Sequence, residues 1–231
     1  MRAALAGAYL VIPVKAAAGS KQRLLGTVPD EVRQLVSRAL AARVLRCAAQ
    51  AWVRDQVVVV GGDSELVRLC QRLGLAIVGD PGEGQSEAVR VGQRWSLERG
   101  ATTLATVAAD LPLALPEDIG QLLQHAGGAG PRSLSLVADV SGRGSNGLVL
   151  RPPSLDVFRF GPDSSRRHRQ VAQELGLRFA RLDLPRLAWD VDRLADLTPA
   201  GSTAAAVAHP VVGWALGVAR AGALSATLGG G

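Results

Sequence analysis

Aromatic residues make up 3% of this 231-residue chain, so its interior cannot rest on stacked rings and must be aliphatic, built from Val, Leu and Ala. The same scarcity leaves few rings to stack on nucleic-acid bases, which argues against a nucleic-acid-binding role for its basic residues. Histidine occurs three times, as His125, His168 and His209, and cysteine twice, as Cys47 and Cys70. Neither type shows ligand spacing, which argues against a zinc site. No Ser, His and Asp order suggests an acyl-transfer triad, and no Gly-x-x-x-x-Gly-Lys-Ser/Thr run marks a P-loop. The apolar stretch from Ala204 to Ala219 is short and is broken by His209 and Pro210, so a membrane span is not expected.

What is abundant is aliphatic residue and arginine. Hydrophobic residues reach 48%, and Lys plus Arg number 26 against 20 for Asp plus Glu, a net charge of +6. The surplus suggests anionic partners without choosing among them; an arginine-rich composition is the plainer account of it, and small phosphorylated substrates would need only a few local cations. Cys47 and Cys70 fall in predicted helices and read as buried, reduced thiols of a cytoplasmic protein. The N-terminal run from Ala3 to Val14 resembles a signal peptide only faintly. It passes through Ile12-Pro13-Val14-Lys15 into a patterned loop without a small-residue cleavage site, so it reads as a first core strand.

Strand and helix signals alternate. Apolar runs predict strands at Tyr9–Val14, Val57–Val60, Leu75–Val78, Thr103–Ala108, Ser133–Ala138, Leu148–Leu150 and Phe179–Leu182. Helices are predicted from Pro29, from Asp63 or Ser64 to about Gly74, from about Ser86 to Arg99, from Pro116 to about Ala126, and from Ser164 to Leu175. A further short helix is expected after Trp189-Asp190-Val191-Asp192. Such alternation predicts an α/β fold with a mostly parallel sheet covered on both faces. It also places ligands beyond the carboxyl ends of the strands, where Lys15–Arg23, Gly79–Gly84 and Asp110 all fall. One domain over residues 1–200 and an Ala/Gly-rich tail over 201–231 are expected.

Five segments could carry chemistry. Pro13-Val14-Lys15 and Ser20-Lys21-Gln22-Arg23-Leu24 set three cations and a hydroxyl after the first strand, suited to a triphosphate or to solvent. Asp110-Leu111-Pro112 puts a carboxylate at a strand end, where hard cations bind; the alternative is a turn aspartate. Asp190-Val191-Asp192 spaces two carboxylates on one face if extended, or marks a helix start. Gly142-Arg143-Gly144-Ser145-Asn146-Gly147 is an amide-rich loop that either wraps an anion or makes a hairpin turn. Most informative is Arg159-Phe160-Gly161-Pro162-Asp163-Ser164-Ser165-Arg166-Arg167-His168. It joins a glycine turn and two hydroxyls to a helix start, a combination suited to phosphate or carboxylate. The cations Arg166 and Arg167 oppose the helix dipole, which favours an anion there.

In this order and spacing the five segments resemble the CofC/FbiD family, guanylyltransferases of the biosynthesis of the deazaflavin coenzyme F-420. The Arg159–His168 segment looks most like the actinobacterial branch, which is thought to use phosphoenolpyruvate rather than 2-phospho-L-lactate. The resemblance implies a single-domain, Rossmann-like nucleotidyltransferase fold of the glycosyltransferase-A type. It implies that Asp110 and Asp190 bind Mg²⁺, that Ser145, Gly161 and Ser164 bind the phosphorylated three-carbon acid, and that Lys15, Lys21 and Arg23 lie at the triphosphate of GTP. A downstream transferase of the F-420 pathway is the implied partner, with no nucleic acid and no membrane. Two departures are visible. Ser145 stands where threonine is usual, which keeps the hydroxyl. The Gly-Leu-Asn of many members, on the base or ribose side, is replaced within Gly82-Glu83-Gly84-Gln85-Ser86-Glu87-Ala88.

The reaction implied is attack of the acid's phosphate on the α-phosphorus of GTP. Alternatives are the same reaction on 2-phospho-L-lactate or 3-phospho-D-glycerate, and a sugar-phosphate or molybdenum-cofactor nucleotidyltransferase. The lone Gly19 in the first loop counts against the last two. A noncatalytic nucleotide- or nucleic-acid-binding protein would bind without Mg²⁺ and weaken steeply with salt.

Overall fold

The computed structural model describes residues 7–15, 29–128 and 130–191. Runs of β-branched and aliphatic residues give the strands β1 (Ala8–Val14), β2 (Val57–Gly61), β3 (Ala76–Val78), β4 (Thr103–Val107), β5 (Ser133–Ala138), β6 (Ser145–Arg151) and β7 (Arg178–Arg181). They form a single sheet in the order β3-β2-β1-β4-β6-β5-β7. β1 pairs in parallel with β2 and β4, and β2 with β3. β5 pairs in parallel with β7, whereas β6 is antiparallel to both β4 and β5. The sheet is thus mostly parallel, as expected.

The helices are α1 (Asp30–Ala51), α2 (Ser64–Leu73), α3 (Gln85–Leu97), α4 (Pro116–Gly128), α5 (Ser164–Glu174) and the short α6 (Pro185–Ala188). Local sequence sets several ends. The Asp63 carboxylate accepts from the N–H groups of Glu65 and Leu66, both at 3.1 Å, and Gly74 closes α2 in the left-handed region, as an N-cap and a C′ glycine should. Residues of α1, α2, α4 and α6 pack on one face of the sheet, and those of α3 and α5 on the other. Both cores are aliphatic with few rings, and β1, β2 and β4 are buried on both faces, hence their near-continuous apolar sequences, broken in β4 only by Thr103 and Thr106.

α3 lies unusually close to the sheet. A Cβ on Gly92 would sit 2.3 Å from Val11 Cγ1, so only glycine permits this approach. Cys47 and Cys70 lie in α1 and α2, buried and unbridged. Burial pushes the Cys70 thiol up to about 11, which keeps it protonated and inert. Among the described residues no helix is long and apolar enough to cross a membrane.

Ser145, expected in a loop, instead opens β6, paired with Ala138 across a register shift at Val137/Ala138. Because β6 is sandwiched between β4 and β5, its ladder continues past the short apolar core Leu148–Leu150. α6 was not foreseen; four residues are too few for a periodic signal. The helix expected after Asp192 and the tail from 201 onward lie outside the described residues.

Candidate active site

β1 continues to β2 and β3 on one side, while β4 lies on its other side. The chain therefore reverses direction across the sheet between β1 and β4, the place where open α/β sheets bind ligands. Lys15 follows the last residue of β1 and is exposed there, and Asp110 lies in the loop leaving β4, half-buried. The two share this rim because β1 and β4 are neighbours. Lys21 and Arg23 lie outside the described residues, as does Asp192.

Asp190 is brought to the same place. The N–H of Val191 donates to the carbonyl of Asp110 at 3.3 Å. Asn146 Nδ2 donates to Asp190 Oδ1 at 3.2 Å and to the carbonyls of Leu187 and Ala188 at 3.1 and 3.0 Å. The Asp190 carboxylate is thus held by a neighbouring donor, as ligating carboxylates usually are. A forked ion pair adds a second tie: Arg186 Nε and a terminal nitrogen donate to the two oxygens of buried Asp118 at 2.8 and 2.7 Å. Asp118 also caps α4, accepting from Leu115 N–H at 2.9 Å. The loop after β4 and the segment after β7 are therefore fixed as one unit.

Ser145, Gly161 and Ser164 also converge. Ser164, the first residue of α5, donates its hydroxyl to Ser145 Oγ at 3.1 Å, and both side chains are buried. Gly161 turns the chain ahead of α5 at φ 106°, with its carbonyl accepting from Ser164 N–H at 3.1 Å. The residue before the helix, Asp163, is left-handed at φ 51° and makes no side-chain cap.

His168 completes the cluster. It is fully buried, its Nδ1 lies 2.9 Å from Ser145 Oγ, and its Nε2 accepts from the N–H of Arg159 at 3.0 Å. Burial, reinforced by the charges of Arg167 and Arg159, lowers its pKa to about 4, so the ring is neutral at physiological pH. Phe160 packs edge-on against it at 5.0 Å.

The helix-start amides are less available than the sequence suggests. Ser164 N–H serves Gly161, and Ser165 N–H donates to the carbonyl of Arg143 at 2.9 Å. Similarly, the Gly142–Gly147 run does not wrap an anion with its loop amides. It closes a hairpin in which the Asp139 carboxylate accepts from Arg143 N–H at 2.9 Å and from Ser141 Oγ at 2.9 Å. Arg166 is exposed, while Arg167 donates to the Phe160 carbonyl at 2.9 Å. The arginine pair thus divides between solvent and the turn.

On the other flank of the rim is a cleft of about 470 Å³ lined by Gly61, Gly62, Ile77, Val78, Gly79 and Gly82, with Asp80 at its edge. A Cβ on Gly61 would fall 2.3 Å from the carbonyl of Val14, so glycine is required where β1 and β2 leave the sheet. Asp80 Oδ1 accepts from Gly82 N–H at 3.0 Å. In the first turn of α3, within the segment that departs from Gly-Leu-Asn, Ser86 Oγ accepts from Phe160 N–H at 3.0 Å. α3 is tied to the same segment by Arg90, paired with Asp156 at 3.0 Å, and by Gln93 Nε2, which donates to Pro153 and Leu155 carbonyls at 2.6 and 3.0 Å. Asn146, His168, Ser86 and the Asp118–Arg186 pair make contacts around the rim that spacing does not reveal. His168 carried a signal, its place in the Arg159–His168 segment, without a role.

Known proteins share the fold and part of the sequence. A crystal structure from Desulfovibrio desulfuricans G20, assigned as a nucleotide-diphospho-sugar transferase, superposes with a TM-score of 0.66 at 16% identity, covering 93% of this chain and 97% of that one. The CTP complex of CMP:2-keto-3-deoxy-manno-octonic acid synthetase gives 0.53 at 14% identity, covering 82% and 95%. These likenesses establish the fold. A phosphoenolpyruvate guanylyltransferase of Rubrobacter xylanophilus is 37% identical over 190 residues, 82% of this chain and 91% of that protein. A 2-phospho-L-lactate guanylyltransferase of Methanothermobacter thermautotrophicus is 30% identical over 188 residues, 81% of each. The family described as guanylyl transferase CofC like matches residues 8–200, spanning both flanks of the rim, and the chain belongs to that family.

Proposed function

We propose that the protein transfers the GMP moiety of GTP to phosphoenolpyruvate, releasing pyrophosphate and giving enolpyruvyl-diphospho-guanosine for coenzyme F-420 biosynthesis. The observation that carries this reading is one continuous chain of contacts. Ser164 bonds Ser145; the next residue, Asn146, holds Asp190; and the Asp190 segment bonds Asp110. It couples an anion pocket of hydroxyls to a pair of carboxylates, the two parts needed to bring a phosphorylated acid against a nucleotide phosphate.

A phosphate oxygen of the acid attacks the α-phosphorus of GTP, forming the phosphoanhydride as the bond to the β-phosphate oxygen breaks. The attacking oxygen is already anionic, so no general base is required. Catalysis is then alignment and neutralisation of two mutually repelling anions. Ser145 and Gly161 hold the acid, Ser164 orients the Ser145 hydroxyl from beside it, and Lys15, with Lys21 and Arg23, attracts the triphosphate and the leaving pyrophosphate. Asp110 and Asp190 would hold Mg²⁺, which supplies charge neutralisation and Lewis-acid polarisation of the phosphates. Two carboxylates suit this ion, which takes much of its shell from water and substrate phosphate; among the described residues no cluster of three or more His, Cys, Asp or Glu stands as an alternative.

The glycine-lined cleft fits a planar base, and Asp80 supplies an acceptor for the N–H groups on the pairing edge of guanine. The product passes to the transferase that next uses it. A second acceptor, 2-phospho-L-lactate, is favoured by the relative that bears that name. The test is incubation with GTP, Mg²⁺ and phosphoenolpyruvate, 2-phospho-L-lactate or 3-phospho-D-glycerate in turn, following pyrophosphate. Release is expected to be fastest with phosphoenolpyruvate; inactivity with all three acids would overturn the reading.

A further inference from the structure

His168 is the one fully buried titratable ring of the described residues, and the reaction outlined above does not use it. Its hydrogen bonds fix its tautomer. Nε2 accepts from a backbone N–H, that of Arg159, at 3.0 Å, so Nε2 carries no proton. A neutral ring must then carry its proton on Nδ1, and that proton points at Ser145 Oγ, 2.9 Å away. Ser145 Oγ also receives the hydroxyl of Ser164 at 3.1 Å. A serine oxygen has two lone pairs and one proton. With both lone pairs taken, the Ser145 proton is directed away from His168 and Ser164, and it can only be donated.

We propose that His168 is a positioning residue of the acid pocket: through Nδ1–H it locks the Ser145 hydroxyl as an outward donor to the anionic group of the acid substrate. The relay runs from the Arg159 amide through the ring to Ser145, and each member polarises the next. The depressed pKa of His168, set by burial and by Arg167 and Arg159, keeps the ring in the required neutral form. A doubly protonated ring would set a proton against the Arg159 N–H and break the relay at its origin. Phe160, edge-on at 5.0 Å, closes the ring off from water.

This inference rests on the proposed guanylyltransferase reading. Two isosteric variants of the full-length chain test it. His168→Asn keeps a donor near the Nδ1 position but offers no acceptor to Arg159. His168→Gln keeps an acceptor near the Nε2 position but offers no donor to Ser145. KM for phosphoenolpyruvate and KM for GTP are measured by pyrophosphate release, with melting temperatures alongside. H168Q should raise KM for the acid by roughly tenfold or more, the loss expected when a hydrogen bond to a charged group is weakened. H168N should stay within about threefold of wild type, and KM for GTP should move less than about twofold in either.

A purely structural role predicts equal KM values in the two variants, or losses that track melting temperature, and either result overturns the inference. Should either variant fold poorly, a titration of Ser145→Ala with and without His168→Ala, which lacks the donor, decides. Once the hydroxyl is gone, His168→Ala should leave KM for the acid unchanged; a further rise overturns the relay. Absence of turnover by wild type with every acid overturns the guanylyltransferase reading itself and this inference with it. Turnover without the split between the variants overturns the inference alone.

Discussion

The two flanks of the rim are built on opposite principles. The nucleotide side, around Gly61, Gly62, Gly79 and Gly82, is open, rich in glycine and apolar, with exposed Asp80 as its acidic edge. The acid side, around Ser145, Ser164 and His168, is a buried polar network whose members bond one another. A flat base needs a slot into which backbone can approach closely, and glycine supplies it. A small anion must instead be read by a few fixed dipoles, which work best when dry and already oriented. On the proposed reading, nucleotide recognition joins a slot of the right shape to one acidic group, Asp80, whereas acid recognition is a matter of preset hydrogen bonds.

The largest effect should come at the junction between the flanks. Asp110→Asn should lower kcat by roughly a thousandfold or more with an unchanged melting temperature. Near-normal turnover in a pyrophosphate assay would detach the carboxylates from the chemistry and leave the flanks as separate binding sites.

The acid side should also weaken first as the medium is acidified. His168 titrates near 6.5 when unfolded and at about 4 in the fold, so the unfolded chain binds more protons between these values. The contribution is complete above about pH 6.5 and is lost progressively as pH falls to about 4, roughly 3 kcal/mol in all. Urea unfolding across this range should give a shallower slope for H168N than for wild type; identical slopes would mean the ring is not the group responsible.

Asn146→Ala should raise the Mg²⁺ concentration for half-maximal activity by about ten- to a hundredfold, as losses of outer-shell partners do, while KM for the acid changes less. A titration in which both shift together would show that the start of β6 serves one site rather than two. On the nucleotide side, Asp80→Asn should cut the preference for GTP over ATP by about tenfold, the scale of a charge-assisted hydrogen bond, with KM for the acid untouched. Retained preference would place base selection elsewhere in the cleft.

The smallest effect probes the connection between the flanks. Ser86→Ala removes the acceptor of Phe160 N–H and should cost about 1 kcal/mol of stability with a severalfold rise in KM for the acid. A change confined to KM for GTP would confine this end of α3 to the nucleotide.

Much of this arrangement is legible in the sequence. Strand runs such as Val57–Val60, caps such as Asp63 and Gly74, and the order of the five segments identified the elements and placed Lys15 and Asp110 on one rim. What could not be read was long-range side-chain pairing. Asn146 and Asp190 are 44 residues apart, and no local pattern records that they meet. Nor does spacing separate loop from strand at Ser145, because its strand character comes from neighbours on both sides rather than from its own propensity. The anion reading of the Arg159–His168 segment rests on helix-start amides and small hydroxyls together. In the structure two of these amides are already bonded to Gly161 and Arg143, which leaves the hydroxyls to carry the reading.

β6 is antiparallel to its neighbours, so its first residues lie where their last residues end. Ala108 N–H donates to the Asn146 carbonyl at 2.8 Å, just past the last residue of β4. At the register shift beside them the Ser145 hydroxyl meets Ser164 and His168, while the Asn146 amide meets Asp190. The spacing between acceptor and carboxylates is therefore set by a single peptide unit rather than by loop conformation. A one-residue deletion there would remove the extra residue that the shift accommodates, so the strand serves as a ruler whose mark is the shift itself.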